Sequence, residues 1–187
     1  MKPVSLHSER LVLRQAEKPD AVSILSYYIN NKQYLTPFEP VRSEEFYTQL
    51  YWIDQIQHDR EVYQNDLGIK FWLFEKNIPS KVIGVINYSN IVRGVFQACY
   101  LGYSLAEDKQ GKGYMTEALQ ITTEYLFTKM NIHRIMANCM VKNKRSLAVL
   151  NRVGFVKEGV AKDYLMINGR WEDHILTSLT NKNFNSI

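Results

Sequence analysis

A glycine-containing turn, Gln110-Gly111-Lys112-Gly113-Tyr114, separates two apolar runs of different period. The run before it, Ala98 to Leu105, is almost continuously apolar and short, the pattern of a central strand buried on both faces. Gly102 interrupts it and marks a bulge or a close backbone approach. The run after it, Thr116 to Met130, has helical spacing, with Ala118, Leu119, Ile121, Tyr125 and Leu126 directed inward. Strand, glycine turn and helix start together restrict the chain to an α/β arrangement. They also make an anion site, because glycines admit close approach and the first helical turn has free N–H groups reinforced by the helix dipole. A bare G-x-G turn equally suits an ordinary helix entry, so the remaining sequence has to decide between the two.

The remaining elements follow from period and punctuation. Arg10 to Gln15 alternates as a first strand, and Pro19-Asp20 opens a helix with Ala21, Ile24, Leu25 and Tyr28 on one face. Thr36-Pro37-Phe38-Glu39-Pro40 is a loop framed by two prolines. A helix from Ser43 to about Arg60 is predicted to bury Phe46, Leu50, Ile53 and Ile56. Ile69 to Glu75 and Lys81 to Tyr88 read as strands joined by Asn77-Ile78-Pro79-Ser80. His133 to Val141 alternates as a strand. Asn143 caps a short helix that stops at Gly154. Phe155 to Asp163 and Trp171 to Thr180 form a hairpin around Asn168-Gly169.

The 187 residues suit one domain over 1–187, with a frayed tail at 182–187. A net charge of +4 falls short of the concentrated basic blocks of a dedicated nucleic-acid binder. It is compatible with an anionic cofactor. Cys99 and Cys139 sit inside predicted strands and read as reduced core thiols of a cytoplasmic protein. The four histidines form no ligand-spaced cluster, which argues against a metal, and no apolar run approaches the ~20 residues of a membrane span.

The glycine loop after the fourth predicted strand, with Asn143-Lys144-Arg145-Ser146 and Gly154-Phe155 after the fifth, resembles the GNAT superfamily of acetyl-CoA-dependent N-acetyltransferases. Ser8-Glu9-Arg10-Leu11, Thr36-Pro37-Phe38-Glu39-Pro40 and Val92-Arg93-Gly94 are similar to the group within it that acetylates the N-terminal residue of ribosomal proteins. So are Ala98 to Tyr103 and His133 to Asn138, and the likeness covers almost the whole chain. It implies a mixed, mostly antiparallel sheet of about seven strands, splayed between the fourth and fifth, with about four helices on its two faces. It implies acetyl-CoA as co-substrate and no metal. The acceptor would be the N-terminal α-amine of a protein, an alanine-initiated ribosomal protein above others, with the small ribosomal subunit as a possible partner.

Residue by residue, the resemblance puts coenzyme contacts at Tyr103, Ser104, Leu105, Gln110, Gly111, Lys112, Gly113, Tyr114, Met115, Asn138, Asn143 and Arg145. It makes Glu39 the proton acceptor and Ser146 the acid for the leaving thiolate, and lines the acceptor slot with Phe38, Tyr88 and Tyr164. Plainer roles stand beside these: a solvated loop acid for Glu39, a first-turn serine for Ser146, core packing for the aromatics. Two positions depart from the family pattern. Asp108 stands where Gln or Arg is usual, so the loop has to bind through backbone amides. Leu150 stands where many relatives carry a tyrosine acid. Two other functions fit the same residues: acetylation of a small amine (polyamine, aminoglycoside or amino acid), or a ribosome-associated coenzyme-binding module without turnover. Both a monomer and a homodimer are compatible.

Overall fold

β-Branched and aromatic residues between Ile69 and Leu105 build the centre of one eight-stranded sheet in the computed structural model, which describes residues 3–184. The strands are β1 (Ser5–His7), β2 (Leu11–Arg14), β3 (Ile69–Glu75), β4 (Ile78–Val92), β5 (Ala98–Leu105), β6 (Arg134–Met140), β7 (Val156–Ile167) and β8 (Arg170–Thr180). Their order is β1-β2-β3-β4-β5-β6-β8-β7, and every pairing is antiparallel except β5 with β6. The strand beyond the predicted seven arises because the chain reverses at Ser8–Arg10. There Ser8 N and Leu11 N bond to Leu11 O and Ser8 Oγ, and the preceding residues pair back as β1. Between β3 and β4 the turn is Lys76-Asn77, one step earlier than predicted, and Pro79 is accommodated at the exposed start of β4.

The helices are α1 (Ala21–Asn30), α2 (Lys32–Leu35), α3 (Gln49–Gln64), α4 (Tyr114–Thr128) and α5 (Lys144–Val153). The helix predicted from Ser43 is broken. A single 3-10 turn, Glu45–Tyr47, ends at Thr48, whose Oγ1 accepts from Tyr51 N at 3.3 Å and caps α3. That cap resets the helical phase. Phe46, Trp52, Ile56 and Tyr63 are buried, whereas Leu50, predicted inward, is 73% exposed.

Two cores lie on opposite faces. One, under α4 and α5, holds Phe71, Ile86, Leu101, Leu119 and Ile135. The other, under α1 and α3, is aromatic: Tyr28 stacks on Trp52 at 4.9 Å, and Trp72 and Phe46 meet them edge-on. α1 packs on β4 and α3 on β3. Farther along this face, Tyr100 and Gly102 of β5 are exposed. Cys99 and Cys139 are free buried thiols, and burial pushes Cys99 up to about 12. The predicted frayed tail lies partly outside the described residues; Phe184 still packs edge-on against His133 at 5.2 Å. Among the described residues no helix is long and apolar enough to cross a membrane.

One irregularity positions everything that follows. β5 and β6 pair from Ala98–Arg134 to Leu101–Ala137 and then part, although β5 continues to Leu105 and β6 to Met140. A gap therefore opens in the middle of the sheet.

Candidate active site

At the mouth of that gap the chain leaves β5, makes the glycine turn and enters α4. Gly111 and Gly113 take φ of 72° and 79°, the left-handed region that favours glycine, and Gly113 is the helix N-cap with no capping side chain. The backbone amides of residues 111–116 donate to no protein acceptor among the described residues. A row of free donors at a helix N-terminus is an anion cradle.

Side chains hold this cradle rather than fill it. Arg10 Nη1 donates to Lys112 O at 2.9 Å, its guanidinium lies 4.5 Å from the centre of the Tyr114 ring, and it pairs with Glu117 at 2.6 Å. Tyr114 OH donates to Glu75 Oε1 at 2.7 Å, and Lys109 Nζ pairs with Glu75 Oε2 at 2.7 Å. These contacts, Lys109 foremost, hold the Glu75 carboxyl below its usual range. Lys112 Nζ donates to Asp108 O at 2.8 Å, so its ammonium braces the loop. The Asp108 residue itself borders a separate recess with Ser23, Tyr27 and Asn31, away from the free amides.

Behind the loop the gap widens into a cleft of about 390 Å³. Tyr34, Leu35 and Phe38 form one wall, Tyr103, Ser104 and Leu105 the floor, and Asn143 to Ser146 the other wall. A second hollow continues along the glycine loop, sharing Leu105, Gln110, Met115 and Val149 with the first. Asn143 Oδ1 accepts from Ser146 N at 3.1 Å and caps α5. Tyr103 OH lies 2.8 Å from Ser146 Oγ and 3.1 Å from Ser146 O. Burial pushes the Tyr103 phenol up, so it stays a neutral donor. When Tyr103 donates to Ser146 Oγ, the serine proton is free to point elsewhere. On the opposite face of β5, Ser104 Oγ meets Tyr27 OH at 2.8 Å.

Glu39 sits in an adjoining recess with Tyr28, Lys32, Arg42, Tyr47 and Asn168, which shares Leu35 with the cleft. Desolvation raises its carboxyl, while Arg42, 3.3 Å away, opposes the rise. The Glu39 carbonyl accepts from Asn168 N at 2.9 Å, which ties this loop to the tip of the β7–β8 hairpin.

Most predicted site residues converge here. Phe38, Tyr103, Ser104, Leu105, Gln110, Met115, Asn143, Arg145 and Ser146 line the cleft, and Gly111, Gly113 and Tyr114 line its continuation. Three do not. Tyr88, expected in the acceptor slot, is fully buried in the α4-side core, with its hydroxyl 2.9 Å from Thr122 Oγ1. Strand alternation turns it away from the open face that its neighbour Asn87 occupies. Asn138 and Tyr164, expected on the coenzyme and acceptor sides, border neither hollow and bond to each other at 3.2 Å. Leu150 is buried core, so no hydroxyl stands at that position. The sequence reading missed Tyr34, Leu35 and Val149 at the cleft. Tyr34 and Leu35 immediately precede the Thr36–Pro40 loop, and that adjacency was the available signal.

A family model described as an acetyltransferase (GNAT) domain matches residues 10–156. The chain belongs to this family. As a GNAT N-acetyltransferase it is 46% identical over 177 residues to the [ribosomal protein uS5]-alanine N-acetyltransferase of Escherichia coli K12, covering 95% of this chain and 91% of that one. The crystal structure of the ribosomal-protein-S5-alanine acetyltransferase from Vibrio fischeri superposes with a TM-score of 0.93 at 43% identity, covering 98% of this chain and all of that one. Mycobacterium smegmatis RimJ, solved with CoA-disulfide, gives a TM-score of 0.89 at 25% identity, covering 100% and 93%. The parting of β5 and β6 after Leu101–Ala137 matches the splayed sheet that the resemblance to this family implies.

Proposed function

We propose that this protein transfers an acetyl group from acetyl-CoA to the N-terminal α-amine of a protein, with an alanine-initiated ribosomal protein as the favoured acceptor. The observation that carries this reading is the continuity of two features: free amides along the glycine loop and a cleft that ends at the Tyr103–Ser146 hydroxyl pair. The named activity of relatives at 46% and 43% identity supports the choice of acceptor. The chain acts on this reading as one cytoplasmic domain, monomer or homodimer, that meets its acceptor free or on the small ribosomal subunit.

The residues fit the coenzyme. The amides of residues 111–116 would hold its pyrophosphate, with Arg145 and Arg152 at the rims of the two hollows. Acetyl-CoA supplies an activated thioester carbonyl. Amine and carbonyl react directly in one ternary complex, where placement in a water-poor slot lowers most of the barrier. A backbone N–H between Tyr103 and Leu105, on the edge of β5 that β6 has left, donates to the carbonyl oxygen as charge develops. Ser146 Oγ–H would protonate the departing sulfur while Tyr103 OH donates to Ser146 Oγ, and Ser146 regains through water the proton that the amine releases. Glu39, through a water, takes the proton released by the attacking amine. An α-amine of pKa about 8 needs only this modest help, whereas a lysine at about 10.4 needs more, which favours N-termini.

Glu39→Gln is expected to lower turnover and to flatten the rise of rate with pH, because the carboxylate accepts a proton only when ionised. Its folded pKa is raised, so its contribution to stability is present at acid pH and is lost as pH rises through that pKa. The variant should therefore unfold at the same or a higher temperature than wild type at neutral pH while turning over more slowly. A normal pH–rate profile would assign the proton acceptor elsewhere. The reading as a whole is tested by offering an alanine-initiated peptide, its N-terminally blocked form, spermidine and an aminoglycoside, and following thiol release.

A further inference from the structure

Gly102 has no local reason to be glycine. It lies in the middle of β5, is exposed, and has no positive φ. The β4–β5 ladder does not shift register there, the β5–β6 ladder ends one residue before it, and a Cβ built on it meets nothing within 4 Å. A strand-interior glycine costs about 0.5–1 kcal/mol relative to alanine, so close approach by another chain is the remaining physical reason for one.

What flanks it indicates the approaching chain. β4 pairing sets Asn87 opposite Gly102. On the other side, Leu101 pairs with Ala137, so the next residues, Gly102 and Asn138, turn together to the face away from the α4 core. Asn87 and Gly102 are paired across β4 and β5, and Asn138 faces them from β6 at the point where β5 and β6 begin to part. The Asn87 carboxamide has no hydrogen-bond partner among the described residues, and Asn138 has only its donation to Tyr164 OH. Each carboxamide offers two donors and an acceptor, the complement of a peptide main chain, and neither brings a charge that would select a side chain. Ser104 shares this face, two residues on, inside the cleft. At ~3.3 Å per residue, Gly102 lies about 7 Å behind it, the reach of two residues of extended peptide.

We infer that the row Asn87–Gly102–Asn138 is the groove for an extended acceptor polypeptide, gripping the main chain of its second and third residues while the α-amine occupies the cleft. This rests on the proposed N-terminal acetylation. Gly102 forms the floor, and the two carboxamides bond the acceptor's N–H and C=O groups. Tyr100, exposed two residues farther back on β5, continues the groove. The row makes the enzyme selective for polypeptides by length more than by sequence. A small amine has no main chain to lay across it.

The test compares an alanine-initiated tetrapeptide with alaninamide, which ends before the groove, using the full chain and acetyl-CoA. In Gly102→Leu the ratio of peptide to alaninamide kcat/KM should fall at least about tenfold, the scale of losing one or two well-made hydrogen bonds. Asn87→Ala, which removes atoms and so does not crowd the fold, should lower the ratio in the same direction by several-fold. Ratios equal to wild type in both variants, including the case where both substrates suffer alike, overturn the groove. Wild-type protein that leaves the peptide α-amine unmodified overturns the proposed function and this inference with it. A wild type that acetylates the peptide, with variants that keep its ratio, removes the groove alone.

Discussion

Gly113→Val is expected to lower coenzyme A affinity by about a hundredfold or more while leaving the fold intact. Gly113 has φ 79°, a conformation that a β-branched residue reaches only at a cost of roughly 1–3 kcal/mol. The chain relieves that cost by rotating to negative φ, which turns the adjacent amides out of the cradle. On the proposed reading those amides hold the pyrophosphate, and the loop's own Lys112 is already committed to Asp108 O. A Cβ at this position also reaches 3.4 Å from Arg10 Nη2, the side chain that pins the loop. A hundredfold loss corresponds to about 2.8 kcal/mol. α4 should survive, because Ala118, Leu119 and Leu126 anchor it in the core. Calorimetric titration with coenzyme A is the measurement; wild-type affinity in a folded variant would show that the loop does not bind the pyrophosphate.

Ser146→Ala should separate chemistry from binding. Its hydroxyl is the polar group at the end of the cleft with a second donor behind it, Tyr103 OH at 2.8 Å. Loss of a positioned general acid lowers turnover about 10²-fold or more. The cap of α5 is untouched, because Asn143 Oδ1 bonds the backbone N–H of residue 146, not its side chain. Coenzyme affinity should therefore stay near the wild-type value while kcat falls, a split that a structural serine would not produce. Equal losses in affinity and kcat would make Ser146 a binding residue.

Legibility in the sequence tracked how local each determinant is. α5, with Asn143 as its cap and Gly154 as its stop, was predicted at its observed bounds because both signals are adjacent to the helix. β5 was likewise predicted at Ala98–Leu105 by its apolar run and the glycine turn behind it. The phase of α3 was not, because a single Thr48 cap restarted the helix and rotated Leu50 to solvent. Tyr88 looked like a cleft aromatic, yet which face it takes depends on β4's partners, and those lie outside its own segment. The Tyr103–Ser146 contact joins residues 43 positions apart across parted strands, and no spacing rule reaches it. Asn138 was assigned by motif, and its partnership with Tyr164 depends on the bulge that re-aims β7 between Ala161 and Leu165.

The central claim, that the acceptor is a protein α-amine, is tested most directly by locating the acetyl group. Purified protein and acetyl-CoA are incubated with an alanine-initiated peptide that also contains an internal lysine, and the product is sequenced by tandem mass spectrometry. The account predicts a single acetyl group on the N-terminal nitrogen and none on the same peptide when its N-terminus is blocked. Acetyl groups on the lysine, or turnover with spermidine but not with the free peptide, would contradict it.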